Sequence, residues 1–409
     1  HSNINEINGR EGAFVCEAPS EGNHGPVRVV DRYHFAYEDG TPYHPVGTTC
    51  YVWNHQTDTL EQETLKTLEK SAFNKMRMCV FPKHYLFNEN EPRWYPFEGN
   101  IEEGWDFTRF NPEYFAHLEQ CIEELMRRGI EADLILFHEY DRWGFAHMPA
   151  DADDRYLGYI TARLSAYRNI WWSLANEYDL MTEKDTADWD RFFGIIKRYD
   201  PYGHLRSIHN CHELYDHGKE WVTHCSIQHS DLALTSQWLE TYKKPVVVDE
   251  CCYEGDISPN WGNITARELV HRMGEAYGRG GYAGHGETYL DSDDILWWSK
   301  GGRLRGQSPE RIKFLRTIME QAPGDLIPTE LGKDIKSAVG FEDQYYICYI
   351  GNRQPRGKRI SLPEGKKYRA EVLDGWNMTV TPLMETYEGV CEIALPGLPY
   401  QAIRLYAVE

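Results

Sequence analysis

Between residues 42 and 320, short apolar runs alternate with amphipathic stretches of helical period, a pattern that repeated β/α units around a parallel sheet produce and few other folds can. Eight runs read as strands, near Tyr43–Thr49, Lys75–Phe81, Glu131–Phe137, Ile170–Ala175, Leu205–Ile208, Cys225–Gln228, Pro245–Asp249 and Gly281–Gly284. Eight is the number that closes a (β/α)8 TIM barrel. An open doubly wound sheet also alternates, but it carries a Gly-rich phosphate turn after its first strand, and Val46-Gly47-Thr48-Thr49 is not one. Thr59-Leu60-Glu61-Gln62 and Thr265-Ala266-Arg267-Glu268 read as helix-starting capping boxes. Asn111-Pro112 and Ser308-Pro309 place a capping side chain before a proline, and the helix after Asn111 puts Phe115, Leu118, Ile122 and Leu125 on one face.

The texture changes after Pro323 to short alternating runs such as Tyr345–Ile350, Tyr368–Leu373 and Ala402–Tyr406, which predict a small antiparallel β-sandwich. The expected organisation is an arm or remnant of a preceding β module over 1–30, the barrel over 31–323 and the sandwich over 324–409. With 13 Trp and 27 Tyr, the chain has the apolar bulk for two cores.

A net charge of −21 and no Lys/Arg run exclude nucleic acid and anionic membrane surfaces as partners, and a neutral carbohydrate fits better. No run of about 18 apolar residues could cross a bilayer. The ten cysteines lack the spacing of a disulfide framework and read as reduced thiols. The expected location is cytoplasmic, or secreted or periplasmic if a signal peptide has been removed.

Two glutamates stand where barrel enzymes place catalytic groups. Glu177 follows the apolar run Asn169–Ala175 by two residues, and Glu250 ends Pro245-Val246-Val247-Val248-Asp249. These are the fourth and seventh strands, which bring two carboxyls to one rim as retaining glycoside hydrolysis requires. Each has a bland rival: Glu177 as a strand-end carboxylate paired with an arginine, and Asp249 in place of Glu250, although alternation points Asp249 toward the helical shell or a structural ion pair. Trp298 or Trp297, after the eighth strand, and Trp53, after the first, are candidates for stacking on sugar at the mouth. Glu287, closing the eighth strand, either binds sugar hydroxyls or caps the strand. His209, Cys211, His212, His217 and His224 form the densest His/Cys cluster but fit no zinc spacing, and no cofactor motif is present, so neither metal nor cofactor is expected.

The pair Asn176-Glu177 closing the fourth strand and Glu250 closing the seventh resembles the clan A glycoside hydrolases, with a family 5-like barrel. The resemblance implies Glu177 as acid/base, Glu250 as nucleophile and Asn176 as the donor to the sugar 2-hydroxyl. It further implies that Arg77, on the second strand, hydrogen-bonds the nucleophile, where the rival reading is a buried structural ion pair. His138, closing the third strand, matches a position that lines the sugar subsite. Many clan members carry His-x-Tyr at the sixth strand, its Tyr touching the nucleophile; here the strand ends Gln228-His229-Ser230, leaving His229 or Tyr253 for that role. The stretches Asn23-His24-Gly25-Pro26-Val27, His138–Phe145 and Trp297–Gly302 resemble a less characterised branch in which a β-sandwich of unknown function follows the barrel. The implied activity is a retaining β-glycosidase. A transglycosidase with the same carboxylates, or a non-catalytic carbohydrate-binding barrel, are the alternatives.

Overall fold

The computed structural model describes residues 5, 8–13, 15–293 and 295–408. Eight parallel strands run in chain order: Gly47–Thr49, Lys75–Cys79, Glu131–His138, Ile170–Asn176, Leu205–Ser207, Cys225–Gln228, Val246–Glu250 and Tyr282–Ala283. They are referred to below as the first to eighth strands. The first five form one ladder in sequential order and the last three another. At the seam between eighth and first strands, Thr49 N donates to the His285 carbonyl (3.1 Å) and His285 N to that of Gly47 (2.8 Å).

The seam between the fifth and sixth strands departs from the single closed sheet that the sequence predicts. There the Thr223 hydroxyl accepts from Arg206 N (2.7 Å), while the Asn210 side chain bonds both Gln228 N (3.1 Å) and Gln228 O (3.2 Å). Side chains thus satisfy backbone groups that a ladder would otherwise pair. The fifth strand is only three residues long and is followed by a loop, 208–224, in place of a helix.

Helices 58–68, 112–127, 150–164, 186–199, 235–242, 266–278 and 308–320 follow the other strands. Phe115, Leu118, Ile122 and Leu125 are buried as their spacing predicts, and Asn111 and Thr265 cap their helices through Glu113 N and Glu268 N. The first helix starts two residues earlier than predicted: Thr57, not Thr59, is its cap. All ten cysteines are unpaired.

Ahead of the barrel, Val27–Val30, His34–Tyr37 and Pro42–Tyr43 form a three-stranded antiparallel sheet, so a strand boundary at 30 divides a paired unit and Tyr43 belongs to it rather than to the first parallel strand. This sheet plugs the amino-terminal end of the parallel strands: Phe35 packs 5.2 Å from Trp171, and His34 Nδ1 meets the Tyr282 hydroxyl at 2.8 Å. Only the carboxy-terminal end remains open. At the other end of the chain, strands 327–328, 338–341, 345–351, 401–408, 367–374 and 379–387 make a six-stranded antiparallel sheet in that spatial order, accompanied by the pair 357–361 and 390–394. It packs against helix 266–278, where Gly274 leaves room for the Tyr349 ring, and Trp376 lies under the Arg267 and Arg311 guanidiniums.

The interior is braced by ions. Lys75, fully buried on the second strand, bonds Asp133 on the third (2.6 Å) and Asp249 on the seventh (2.7 Å). The second and seventh strands are not neighbours, so this bond crosses the interior. Burial opposes the Lys75 charge, but the two aspartates outweigh it and hold its pKa above the usual lysine range. Lys75→Met would leave both carboxylates buried without their shared cation, so denaturant titration should show a loss of about 3–5 kcal/mol.

Candidate active site

Asp249 and Glu250 are adjacent on one strand, yet both turn to groups in the interior, against the alternation that predicts opposite directions. The reason is a bulge: Ser226 pairs with Val247 but Gln228 with Glu250, so the seventh strand carries one extra residue there. A bulge resets the alternation and re-aims the side chain that follows. Gly284 permits the tight crossing beside it, since a Cβ would stand 2.3 Å from the Asp249 carbonyl oxygen.

Glu250 Oε1 accepts from Arg77 Nη1 (3.1 Å) and from the Tyr51 hydroxyl. Arg77 Nη2 donates to Asn176 Oδ1 (3.2 Å), Tyr51 lies 2.9 Å from the same oxygen, and Asn176 Nδ2 donates to Glu177 Oε2 (3.1 Å). The Tyr140 hydroxyl donates to that Glu177 oxygen as well (2.5 Å). One hydrogen-bonded chain therefore joins Glu177 to Glu250 through Asn176, Arg77 and Tyr51. Burial pushes the Glu250 carboxyl up to about 8, and the Tyr253 hydroxyl beside it opposes that rise without a hydrogen bond of normal geometry.

Glu177 is reached through a backbone kink. Its φ of 54° and ψ of 55° lie in the left-handed region, at the cap of the short 3-10 turn Tyr178–Leu180. Both glutamates line a cavity of about 340 Å³ at the open end, with Tyr51, Lys83, Tyr85, Tyr140, Trp261 and Trp298 among its walls. That volume suits a mono- or disaccharide unit. Lys83 is buried, and burial brings its ammonium down to about 8, with Cys79 and Glu177 acting the other way. Burial, then the Glu177 charge, push the Cys211 thiol on the wall up to about 12, so it is protonated at neutral pH.

Glu177, Glu250, His229, Tyr253 and Trp298 share this cavity, and Asn176 and Arg77 lie directly behind it. His229 Nδ1 accepts from Asp231 N (3.0 Å), which turns the ring into its own loop. Of the two residues considered for contact with the nucleophile, Tyr253 lies beside Glu250 and favours its charged form; the Tyr51 hydroxyl donates to Glu250 as well, and His209 Nε2 stands 3.9 Å from Glu250 Oε1. Four candidates lie elsewhere. His138 is buried below the cavity, its Nε2 3.2 Å from the Phe81 carbonyl, and burial brings its pKa down to about 3. Trp53 is buried against the first helix, donating to the Glu61 carbonyl (3.1 Å), because the chain turns into a 3-10 helix directly after the strand. Glu287 accepts from Gly306 N (2.8 Å) and Arg305 N and caps that loop; burial pushes its carboxyl up to about 7. Trp297 is buried on Thr48 (2.8 Å).

Tyr51, Lys83, Tyr85, Tyr140 and Trp261 were not singled out from sequence. The adjacent signal was present for two of them: Tyr51 lies two residues past the first strand, and Tyr140 two residues past the third.

The histidines and cysteines of 209–224 do not converge into a ligand set. Among the described residues, the group that does place ligand atoms within 4.8 Å of one another is Glu61, His117 and Cys121, away from the cavity. His117 Nε2 already bonds Glu61 Oε1 (3.0 Å) and meets the Asn54 carbonyl (3.1 Å), so hydrogen bonding accounts for the grouping.

Residues 30–311 match the family model described as the apiosidase-like catalytic domain. The chain belongs to that family. Residues 334–406 match a domain of unknown function, DUF5605. A Bacteroides vulgatus protein with a provisional glycoside hydrolase designation is 36% identical, with a TM-score of 0.94 over 99% of this chain and 87% of its own. A family 5 glycoside hydrolase from the same organism, 16% identical, matches over 94% of both chains with a TM-score of 0.72. A family 5 mannosidase from Rhizomucor miehei, 12% identical, covers 73% of this chain and all of its own at 0.53. No protein of curated function matches the sequence. The apiosidase-like family thus has glycoside hydrolases as its structural neighbours, clan A members among them, and they support glycosidase activity on carbohydrate. No helix among the described residues is long and apolar enough to cross a membrane.

Arg77→Met would remove the cation nearest Glu250 and raise its pKa further. The ascending limb of kcat/KM against pH should then move upward by about one unit or more, in a pH–rate profile of wild type and variant.

Proposed function

We propose that this apiosidase-like chain is a retaining β-glycosidase that acts on neutral oligo- or polysaccharide by double displacement. The observation that carries the reading is the hydrogen-bonded chain linking two carboxylates from the fourth and seventh strands across one cavity.

In the first step Glu250, ionised, attacks the anomeric carbon while Glu177 gives its proton to the leaving oxygen, and the glycosidic bond breaks. In the second, Glu177 takes a proton from water, whose oxygen displaces Glu250 from the sugar. Arg77 and Tyr51 favour the charged form of Glu250 and counter the burial that would neutralise it. Tyr140 and Asn176 fix the Glu177 carboxyl, so the proton is presented from one direction. Trp298 and Trp261, ring centroids 4.9 Å apart on the wall, give the sugar an apolar face to lie against. The family name makes apiosides the first glycosides to try, beside aryl β-glycosides of common hexoses and pentoses.

A 2-fluoro glycoside of a sugar that the enzyme turns over should leave a mass adduct on a peptide containing Glu250. Glu250→Gln should abolish the adduct, and Glu177→Gln should lower turnover by about 10²–10⁴-fold. Unlabelled protein that still turns the parent sugar over would sink the double-displacement mechanism.

A further inference from the structure

Lys83 follows the second strand, is 4% exposed, and lines the cavity between the two glutamates. Its Nζ lies 3.6 Å from the ring centroid of Tyr51, 4.2 Å from that of Tyr140, 5.1 Å from that of Trp298 and 6.0 Å from that of Tyr85. Among the described residues no carboxylate comes within ion-pair distance of it, and no protein acceptor takes its hydrogens. Lys75, buried on the second strand, by contrast holds two aspartates.

A buried ammonium without an anion is unfavourable, and ring faces offset only about 0.5–2 kcal/mol of that. Three N–H donors are left for whatever enters the cavity. The placement is specific, because Tyr51 is the tyrosine that holds Glu250 and Tyr140 the one that holds Glu177. The ammonium thus stands against both tyrosines that hold the carboxylates, in the wall of the cavity the two glutamates share.

Resting on the glycosidase reading, we propose that Lys83 is a substrate-binding residue whose ammonium donates a hydrogen bond to a hydroxyl oxygen of the sugar held between Glu177 and Glu250. The hydroxyl is one away from the anomeric carbon. Positive charge develops on that carbon and the ring oxygen in the transition state, and an ammonium beside them would oppose the reaction. A contact to a remote hydroxyl is made equally in ground and transition states, so it governs sugar selection through KM more than through kcat.

The test compares wild type, Lys83→Met and Lys83→Arg on the aryl glycoside turned over fastest by wild type, and on the monodeoxy analogues of its sugar. Lys83→Met should lower kcat/KM about 10–100-fold, chiefly by raising KM, and Lys83→Arg should recover part of the loss. One deoxy analogue should cost wild type a similar factor and be turned over alike by wild type and Lys83→Met. A Lys83→Met enzyme within twofold of wild type on the parent sugar, or one with the same fractional loss on every analogue, overturns the proposal. Circular dichroism checks folding, and Lys83→Gln carries the comparison if the methionine variant does not fold. Wild type without activity on any glycoside overturns the glycosidase reading and this one together, whereas an active wild type with an indifferent Lys83→Met overturns this one alone.

Discussion

Two cations on one strand organise the interior on which everything above depends. Lys75 and Arg77 project inward from the second strand, and between them they engage Asp133 on the third strand, Asn176 at the end of the fourth, and Asp249 and Glu250 on the seventh. Burying such charges is favourable only when each finds partners of good geometry. The lower group, Lys75 with its two aspartates, is shut away from the cavity. The upper one, Arg77, shares its hydrogen bonds between the nucleophile candidate and the asparagine that touches the acid/base candidate. The charge that braces the parallel strands therefore also fixes the relation between the two candidate carboxylates, and displacement of the second strand would be felt at both.

The bulge in the seventh strand makes this double use possible. A regular strand would send one of two successive acids outward; the extra residue lets Asp249 complete the structural pair while Glu250 faces the cavity. Closure of the other end by the small sheet over 27–43 leaves a single rim for chemistry, and loops following the strands supply its aromatic wall.

The strand order, the helix faces and the two glutamates were legible because they rest on short-range rules: apolar runs, helical spacing and acids at strand ends. Arg77 was legible through the family resemblance, which implied an arginine on the second strand bonded to the nucleophile candidate. Asp249 takes the structural ion pair that was one of its two expected destinations, with Lys75, but it does so inside the ring of strands, because alternation holds only while the ladder is regular and no sequence signal announced the bulge. Trp53 and Tyr51 are two residues apart, and which one faces the cavity depends on the 3-10 turn that starts between them. Lys83 carries no local signal at all: the rings that surround it come from loops after the first, third and eighth strands, far apart in sequence and brought together only by the tertiary fold.

The left-handed backbone at Glu177 bears on how this enzyme could be altered. Glycine occupies that conformation without the steric penalty that a side chain brings. Replacing the acid/base candidate by glycine would relieve the kink and open a small hollow beside an intact Arg77–Glu250 pair. Such a hollow admits a small external anion, formate or azide, in the position of the lost carboxylate. On the proposed mechanism, the backbone feature that aims Glu177 thus also makes its site well suited to chemical rescue and to synthesis of glycosidic bonds.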